Sequence, residues 1–380
     1  MGVDEMKKVG KKYWVWLSLA LGAEPRTDEI FSAYKNPLEI YKASLTDRIN
    51  SGVFTKKQME SLAEVTVEEA EEVLVLCEGR GWNIITPEDT GYPAGLRKTR
   101  DMPFALYIDG DITCLQGKVV IGVVGTRNPG IEGVTVTHDI CTDLALAGAV
   151  VVSGGALGID SAAHEAAIFA EGKTVCVLGC GLGTNYLMEN EALRRSIAKN
   201  GAVISEYPPF TPATKFSFPQ RNRLISGMSH GVLVVEANEK SGSLITAKAA
   251  MMQKRELFAV PGSALSSAYT GANRLIAKGA KAVTGADEIL EPYAAVYPER
   301  LQLELIGTKK YGKKDKNEEM PEGFDSDMQK VYACLGEEPV HFDDIIASTG
   351  LDYSKVTTAI LQLGLSDMID EPESKKYTLK

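Results

Sequence analysis

The sequence predicts an α/β protein built around a doubly wound, mostly parallel sheet. Six apolar runs of strand length lie between residues 118 and 260, and segments long enough for helices separate them. Runs that are apolar throughout are typical of parallel strands covered by helices on both faces. The flanking segments have helical periodicity, which predicts a helical region at the start and three helices with a two-stranded wing at the end.

Charge limits the functions that this chain can have. Its 380 residues include 41 Lys+Arg and 51 Asp+Glu, a formal net charge of -10. This balance excludes a protein that is positively charged over its whole surface, so any site for a polyanion must be local. Residues 118 to 290 are the only net basic stretch, at +2, whereas residues 320 to 380 carry -7.

Cysteine spacing and apolar runs indicate the compartment. The six cysteines lack the CxxC spacing of a zinc site, which fits a reducing cytoplasm. Lys7 to Ala23 combines a basic cluster with an apolar run, so a secretory signal is an alternative. We favour a buried first helix because no clear Ala-x-Ala site follows. No other stretch approaches the ~20 apolar residues of a membrane span, so we expect a cytoplasmic protein without a membrane partner.

In chain order, the elements predict five segments. Tyr13, Trp14, Leu17 and Leu21 recur at helical spacing, as expected for an N-terminal helical domain. The predicted segments are a helical domain (1–85), a connector packed on the core and rich in Pro, Gly and aromatic residues (86–117), an α/β core (118–290), a solvated linker (291–320) and a winged three-helix domain (321–380).

The core strands are predicted from the six apolar runs KVVIGVVG, AVVVSGG, KTVCVLG, GAVIS, GVLVVEA and ELFAV. A doubly wound sheet binds its ligand beyond the carboxyl ends of the strands. The glycine-rich turns of this chain fall at those ends. We therefore look for function in the turns.

The C-terminal unit has the helix order of a duplex-binding module, but its charge argues against that role. Docking in the major groove needs phosphate contacts. The third predicted helix offers only Lys355 in a unit of charge -7. We favour a protein-contacting or regulatory role over duplex binding.

Two turns are candidate anion sites. Gly125, Thr126 and Arg127 follow the first strand and precede a helix, which offers free amides and a forked cation; simple tight turning is the alternative. The segment Ser153-Gly154-Gly155 follows the second strand and predicts a concave set of backbone donors with one hydroxyl. We interpret Asp160 as a helix cap and His164 as a helix-face residue rather than as catalytic groups.

The most distinctive segment joins cations and rings. It contains Lys215, Phe216, Phe218, Arg221, Asn222 and Arg223. Cations pair with phosphates and rings stack on bases, which is the combination that single-stranded nucleic acid requires. Arg223 has an alternative role as a buried partner of a carboxylate such as Glu206 or Glu236.

A third turn, Ser241-Gly242-Ser243, opens another predicted helix, and its amides suit one more phosphate. A plain serine cap explains it equally well. The chain contains no GxxxxGK[ST], HExxH or G-x-S-x-G motif, and its four histidines have no ligand spacing. We therefore predict no catalytic residues, no metal site and no cofactor.

Taken together, these segments resemble the bacterial DNA-processing protein A family, called DprA or Smf. The resemblance spans nearly the whole chain in an ordered series of motifs. They are GTR (125–127), SGGALGIDSAAHEAAI (153–168), SEYPP (205–209), FPQRNRLISGMS (218–229), VVEANEKSGSLITAKAA (234–250), FAVPG (258–262) and GANRLIAKGA (271–280).

The resemblance implies a Rossmann-like core that binds single-stranded DNA, forms a homodimer and loads the RecA recombinase during natural transformation. It also implies an N-terminal domain of the sterile-alpha-motif (SAM) type and a C-terminal winged-helix domain. By likeness, the residues facing DNA are Arg127, Lys215, Phe218, Arg221 and Arg223, with Ser153 to Gly155 and Ser241 to Ser243. The chain departs from the family pattern at Leu157, Leu187 and Lys254, which puts single contacts in doubt.

Two other functions stay open beside this non-enzymatic mediator. The same type of sheet occurs in nucleotide-cleaving phosphoribohydrolases, but Pro261-Gly262 continues here as Ser263-Ala264 and not as Gly-x-Gly-Thr. Release of free base from nucleoside monophosphates would favour such an enzyme. A nucleotide-sensing regulatory module would bind mononucleotides but not oligonucleotides.

Overall fold

The computed structural model describes residues 9–309, 326–336, 339–365 and 368–379. The chain divides near residue 311 into two compact units. Within the described residues, no helix is long and apolar enough to cross a membrane.

The larger unit begins with short helices. Those before the sheet are α1 (Lys11–Leu21), α2 (Thr27–Ala33), α3 (Pro37–Lys42), α4 (Leu45–Ser51), α5 (Lys56–Glu64) and α6 (Val67–Gly79). Ser44, Thr55 and Thr66 each start a helix through a reciprocal capping box, which satisfies amides that have no partner inside the helix. Trp14, Val15 and Leu17 of α1 are fully buried, and this confirms the buried first helix.

A nine-stranded sheet forms the centre of the described part of this unit. Its strands are β1 (Asn83–Ile85), β2 (Leu106–Gly110), β3 (Val120–Val124), β4 (Val150–Ser153), β5 (Thr174–Leu178), β6 (Ala202–Ser205), β7 (Gly231–Val234), β8 (Glu256–Ala259) and β9 (Lys281–Ala282). All six predicted strands are confirmed. The sequence analysis missed β1, β2 and β9, which are short or lie in the connector.

The strand order is β1-β2-β6-β5-β4-β3-β7-β8-β9. From β6 to β9 every pairing is parallel, with Ile121 opposite Val151 of β4 and opposite Gly231 of β7, and β3 is the central strand of this parallel part. The pairings β1–β2 and β2–β6 are antiparallel, so β2 runs against its neighbours. Successive strands are added to one side of β3 and then to the other, so a topological switch point lies between β3 and β7. This confirms the doubly wound, Rossmann-like sheet.

Helices cover both faces of the sheet. They are α7 (Ile131–Leu146), α8 (Ile159–Phe169), α9 (Glu191–Asn200), α10 (Ser217–Met228), α11 (Ser243–Met252), α12 (Thr270–Ala277) and α13 (Ala286–Ala294). One hydrophobic cluster joins Val120 and Val152 to Leu224, and another joins Ile121 and Val151 to helix α7 and α8 residues. Alternate side chains of each strand enter opposite clusters because successive residues of a strand point to opposite faces.

The N-terminal helices share a core with the connector. A third cluster contains Trp14 and Leu17 of α1 together with Ile84, Phe104 and Tyr107. These helices therefore stabilise the β1–β2 edge of the sheet by burying apolar area against it. The boundary at residue 85 and the sterile-alpha-motif type of this segment stay predictions.

The smaller unit contains α14 (Ser326–Cys334), β10 (Val340–His341), α15 (Phe342–Thr349), α16 (Tyr353–Leu365), β11 (Ile369–Glu373) and β12 (Lys376–Leu379). The three predicted helices and the wing are confirmed, and β10 adds a strand beside β12. Lys355, the only cation of the third helix, lies 3.2 Å from Asp327 in an ion pair. Part of the predicted linker, residues 310–320, lies outside the described residues.

Candidate nucleic-acid interface

The strands β3, β4 and β5 are neighbours in the sheet, and their carboxyl ends lie at the same edge. Gly125 follows β3, Ser153 ends β4 and Gly179 follows β5. Helix α10 packs against these three strands and brings most of the predicted cation and aromatic segment to the same edge. Helix α11 packs on α10, so the third turn lies beside it.

Five exposed or half-buried side chains form what we call the outer row: Arg127, Tyr186, Lys215, Phe216 and Phe218. The guanidinium of Arg127 lies 5.5 Å from the centre of the Phe218 ring. The Tyr186 ring lies on Phe218 at a centroid distance of 5.2 Å. Phe218 comes so close to the backbone that a Cβ at Gly179 would lie 2.8 Å from its ring, so glycine is needed there. The row offers positive charge and ring faces to solvent.

Lys215 and Phe216 extend this surface before α10 begins. The Phe216 side chain is 67% exposed, and the Lys215 amine lies 5.0 Å from the centre of its ring. Thr214 and Ser217 fix the start of the helix by exchanging hydrogen bonds of 3.0 and 3.1 Å between backbone amides and hydroxyls. An exposed ring held this way has little conformational entropy to lose on binding a base.

Arg221 does not lie on the surface, although the sequence analysis placed it at the DNA. It is 4% exposed, and its guanidinium donates hydrogen bonds to the carbonyls of Gly154, at 2.6 Å, and Val177. A Cβ at Gly154 would lie 2.5 Å from that guanidinium, so this glycine makes room for the arginine. Arg221 joins the ends of β4 and β5 and is a supporting residue here. Its Nε also donates to Asn222, at 3.0 Å.

The second turn is already occupied by a carboxylate. Asp160 accepts hydrogen bonds from the amides of Gly154, at 3.1 Å, and Ala156, at 3.5 Å. The Ser153 hydroxyl donates to the carbonyl of Val123, and Gly155 is buried. Asp160 therefore occupies the Gly154 amide of the predicted phosphate site, and the contact of residues 153 to 155 with DNA stays a prediction. Gly158 is the N-cap of α8, so Asp160 is not its cap.

The first turn is filled in a similar way. The amide of Gly130, at the start of α7, donates to the Glu236 carboxylate at 3.1 Å. The amide of Thr126 donates to the backbone carbonyl of Glu236 at 2.7 Å, and Gly125 is half-buried beside it. The predicted amide site at this helix start is therefore taken by an internal carboxylate. Arg127 remains exposed as the only group of the predicted GTR contact that reaches outward.

Arg223 is a buried ion-pair residue, which was the alternative in the sequence analysis. Its guanidinium lies 2.6 Å from Glu206 and 3.1 Å from Asp101. The side chains of Arg223 and Glu206 are 6% and 3% exposed. In this structure the Arg223 side chain is buried in ion pairs and does not reach the surface, and its contact with DNA stays an untested prediction. Glu206 is its partner, and Glu236 is not.

The third turn stays open. Gly242 is exposed, and a Cβ placed there would meet no atom within 4 Å. The hydroxyls of Ser241 and Ser243 lie 2.8 Å apart. The Asn222 amide donates to the carbonyl of Gly242 at 3.5 Å, a long bond that ties this turn to α10. Residues 241 to 243 thus lie beside α10, the helix that contains Asn222 and Phe218.

His164 is structural. It is fully buried, and its Nδ1 lies 2.7 Å from the Thr174 hydroxyl. Burial lowers the pKa of His164 to about 3, so the ring is neutral at pH 7. Among the residues that the structure describes, no group of three His, Cys, Asp or Glu side chains is placed to hold a metal ion.

One member of the outer row was missed as a site residue. Tyr186 lies in the loop between β5 and α9, and only the tertiary structure brings it to Phe218. Its signal in the sequence is weak: a single tyrosine follows a glycine-rich segment after a strand. The same pattern is common in loops without any ligand.

Comparison with known proteins gives consistent matches. The model of the family "DNA recombination-mediator protein A" matches residues 83–294, and the "DprA winged helix domain" model matches residues 316–371. The chain is 44% identical to the DNA processing protein DprA of Bacillus subtilis over 219 residues, which are 58% of this chain and 74% of the relative.

Two solved structures are similar to this one. DprA from Streptococcus pneumoniae superposes with a TM-score of 0.65 at 32% identity, covering 75% of this chain and 98% of that one. DprA from Helicobacter pylori, solved to describe its single-stranded DNA binding mode, superposes with a TM-score of 0.52 at 32% identity. That match covers 57% of this chain and 97% of the other.

Proposed function

Because the chain belongs to the DNA recombination-mediator protein A (DprA/Smf) family, we propose that it binds single-stranded DNA and loads the RecA recombinase onto it during natural transformation. The Helicobacter pylori relative has a single-stranded DNA binding mode, and this supports the same ligand here. The proposal places the protein in the cytoplasm, where RecA and incoming DNA meet.

The outer row is the observation that carries the proposal. Arg127 and Tyr186 each contact Phe218, beyond the carboxyl ends of β3 and β5, and doubly wound folds bind ligands beyond the carboxyl ends of their strands. Duplex DNA hides its base faces in the stack, whereas a single strand exposes them to rings. A short row of alternating charge and ring therefore favours the single strand.

We assign phosphate contacts to Arg127 and Lys215 and base stacking to Phe216 and Phe218. Both cations are exposed, so they are free to pair with the backbone without breaking a buried contact. In the turn of Ser241, Gly242 and Ser243, the amides of Ser241 and Ser243 already donate to the Asn238 carbonyl and to the Ser241 hydroxyl, so we assign the phosphate contact of this turn to the exposed Gly242 amide. Arg221 and Arg223 act indirectly, by holding α10 in place.

We propose that the protein acts without catalysis. The buried carboxylates of Asp160 and Glu206 are engaged by amides and by Arg223, and His164 is neutral and buried. A general acid or base must reach a substrate proton, and these groups do not. This argues against the phosphoribohydrolase alternative.

We propose that the homodimer forms through α11. This helix, SLITAKAAMM, is apolar around most of its circumference, and Ile245, Met251 and Met252 are 43%, 49% and 76% exposed. An apolar outer face is typical of a helix covered by a partner. Two DNA sites in one dimer increase avidity through effective concentration.

Met252→Lys should shift the sedimenting species from dimer to monomer, and an unchanged dimer would refute this surface.

RecA loading has its own assay. Full-length protein added to single-stranded DNA should shorten the lag before RecA begins to hydrolyse ATP on that DNA. The Arg127→Ala, Phe218→Ala double variant should restore the lag. Equal stimulation by this variant would show that RecA loading does not depend on the outer row.

A titration of labelled oligonucleotides tests the DNA proposal itself. Fluorescence anisotropy with oligo-dT and with a duplex of the same length, at two salt concentrations, should show tighter binding of the single strand. Affinity should decrease steeply with salt because phosphate contacts release counterions. No binding of oligo-dT at low salt, or a preference for the duplex, would overturn the proposed function.

A further inference from the structure

A cavity of about 270 Å³ lies directly beside the outer row. Tyr186 belongs to both, since it contacts Phe218 and also lines the cavity. The rest of the wall comes from the loop between β5 and α9, from α9, from the residues just before β1 and from β2, β5 and β6. The cavity therefore adjoins the surface to which we assign the single strand.

The cavity combines ring walls, cations and one free carboxylate. Trp82 and Tyr186 line it, together with Arg80, Arg194 and the Asp109 side chain. The Arg80 guanidinium lies 5.5 Å from the Trp82 ring centre and 5.3 Å from that of Phe210. Arg80 is thus held between two rings at the rim.

Asp109 is the unusual group. It sits in β2 beside Val203 of β6, and within the described part of the chain its carboxylate has neither a hydrogen bond nor an ion pair. Burial raises the pKa of Asp109, as expected for a carboxylate without a nearby cation. By contrast, Glu191, which lines the same cavity, pairs with Arg195 at 3.5 Å. The Asp109 side chain is half-buried, so its carboxylate is an accessible acceptor on the cavity wall.

A ligand that fits this lining has a flat apolar face for Trp82 and Tyr186 and donates hydrogen bonds to Asp109. Proteins recognise unstacked bases of a single strand by stacking and by hydrogen bonds to the Watson–Crick edge. A carboxylate accepts two hydrogen bonds side by side. Guanine presents two adjacent donors, N1–H and N2–H, on that edge, whereas cytosine and adenine present one amine and thymine one N3–H.

We propose that this cavity binds one guanine base of the single strand, with Asp109 accepting from N1–H and N2–H and with Trp82 and Tyr186 as its walls. Arg80 and Arg194 then face the sugar-phosphate at the rim. This inference rests on the proposed function and deepens it, because it gives the outer row a neighbour that selects for base identity.

The test uses the full chain and an oligo-dT of about 15 nucleotides, a length that spans one such site. A single central thymine is replaced by guanine, adenine, cytosine, inosine or 7-deazaguanine, and binding is followed by anisotropy. Guanine should increase affinity by about tenfold, the discrimination expected of a bidentate contact. Inosine, which lacks the N2 amine, should recover only part of the gain, and 7-deazaguanine should recover all of it.

Two variants separate Asp109 from a general charge effect. Asp109→Asn should abolish the preference for guanine. Glu191→Gln removes the same charge from the same cavity but should leave that preference intact. Loss of the preference in both variants would contradict the role of Asp109.

The outcomes also separate this inference from the proposed function. Oligo-dT binding without a guanine preference would overturn the guanine site alone. Failure of every oligonucleotide to bind would overturn both proposals. A loss of the gain with 7-deazaguanine would mean that an arginine contacts O6 and N7 instead, and would refute the assignment to Asp109.

Discussion

Two groups of residues in and around α10 both contain arginine, but one group is buried and the other reaches solvent. The inner group, Asp160, Glu206, Arg221 and Arg223, is buried and internally paired. The outer row holds its cations and rings in solvent: the Phe216 side chain is 67% exposed, whereas Arg221 is 4% exposed. An arginine in a cationic segment therefore cannot be assigned to ligand binding from the sequence alone. Its position around the helix decides whether it supports the site or contacts a ligand.

Helical spacing explains the separation. Arg221, Leu224 and Ile225 lie on the face of α10 that is buried against the sheet. Phe218 and Asn222 are four residues apart and share a half-buried face. Substitutions in each group, and one at the buried His164 outside both, should have separable effects on stability and on DNA binding.

Replacing Arg223 should have the largest effect, and that effect should be on stability. Arg223→Ala leaves Glu206 buried without its partner, which costs about 3–5 kcal/mol of the free energy of unfolding. Urea denaturation followed by circular dichroism measures it. Arg274→Ala, which breaks the exposed ion pair with Glu239 at 2.7 Å, should cost no more than about 1 kcal/mol. Equal losses would remove the distinction between buried and exposed cations.

The next expected effect is a pH dependence of the unfolding free energy. His164 is neutral when folded because burial lowers its pKa to about 3. In the unfolded state the pKa of this side chain is about 6.5. As pH falls below about 6.5 the unfolded state binds the extra proton, so the unfolding free energy should decrease by up to about 1.4 kcal/mol per pH unit. His164→Gln should flatten the urea midpoint against pH between those values. Identical slopes would refute a neutral buried histidine.

Removing a ring from the outer row should weaken binding without changing its salt dependence. Phe218→Ala should cost about 1–3 kcal/mol of oligo-dT binding free energy, the usual contribution of one stacked base. The slope of log affinity against log salt should stay the same, because no phosphate contact is lost. A reduced slope would mean that Phe218 mainly orients Arg127.

The smallest effect should come from a single exposed cation. Arg127→Ala should reduce the salt slope by about 0.7, the value for one phosphate contact on a single strand, with an unchanged urea midpoint. Lys199→Ala is the matched control, since Lys199 is exposed at the end of α9, next to the amino end of β6. An equal change in slope for both variants would indicate non-specific attraction and no defined site.

The amino-acid sequence alone indicated the parallel part of the sheet and the edge at which a site is expected. Strands that are buried on both faces must be apolar throughout, so the segments of β3 to β8 are recognisable among the more polar segments between them. Turns at their carboxyl ends follow from that order. The cation and aromatic segment was also visible, because Lys215, Phe216 and Phe218 are an unusual set for a loop.

Only the tertiary structure decided which of these groups face outward. Arg223 finds Glu206 and Asp101, and Asp160 and Glu236 occupy the amides of the first two turns, through contacts between distant parts of the chain. Tyr186 and Asp109 line the cavity beside the outer row in the same way, from a loop and from a strand in the connector. Local patterns encode burial and turns, whereas the pairing of charges depends on distances that arise only when the elements pack.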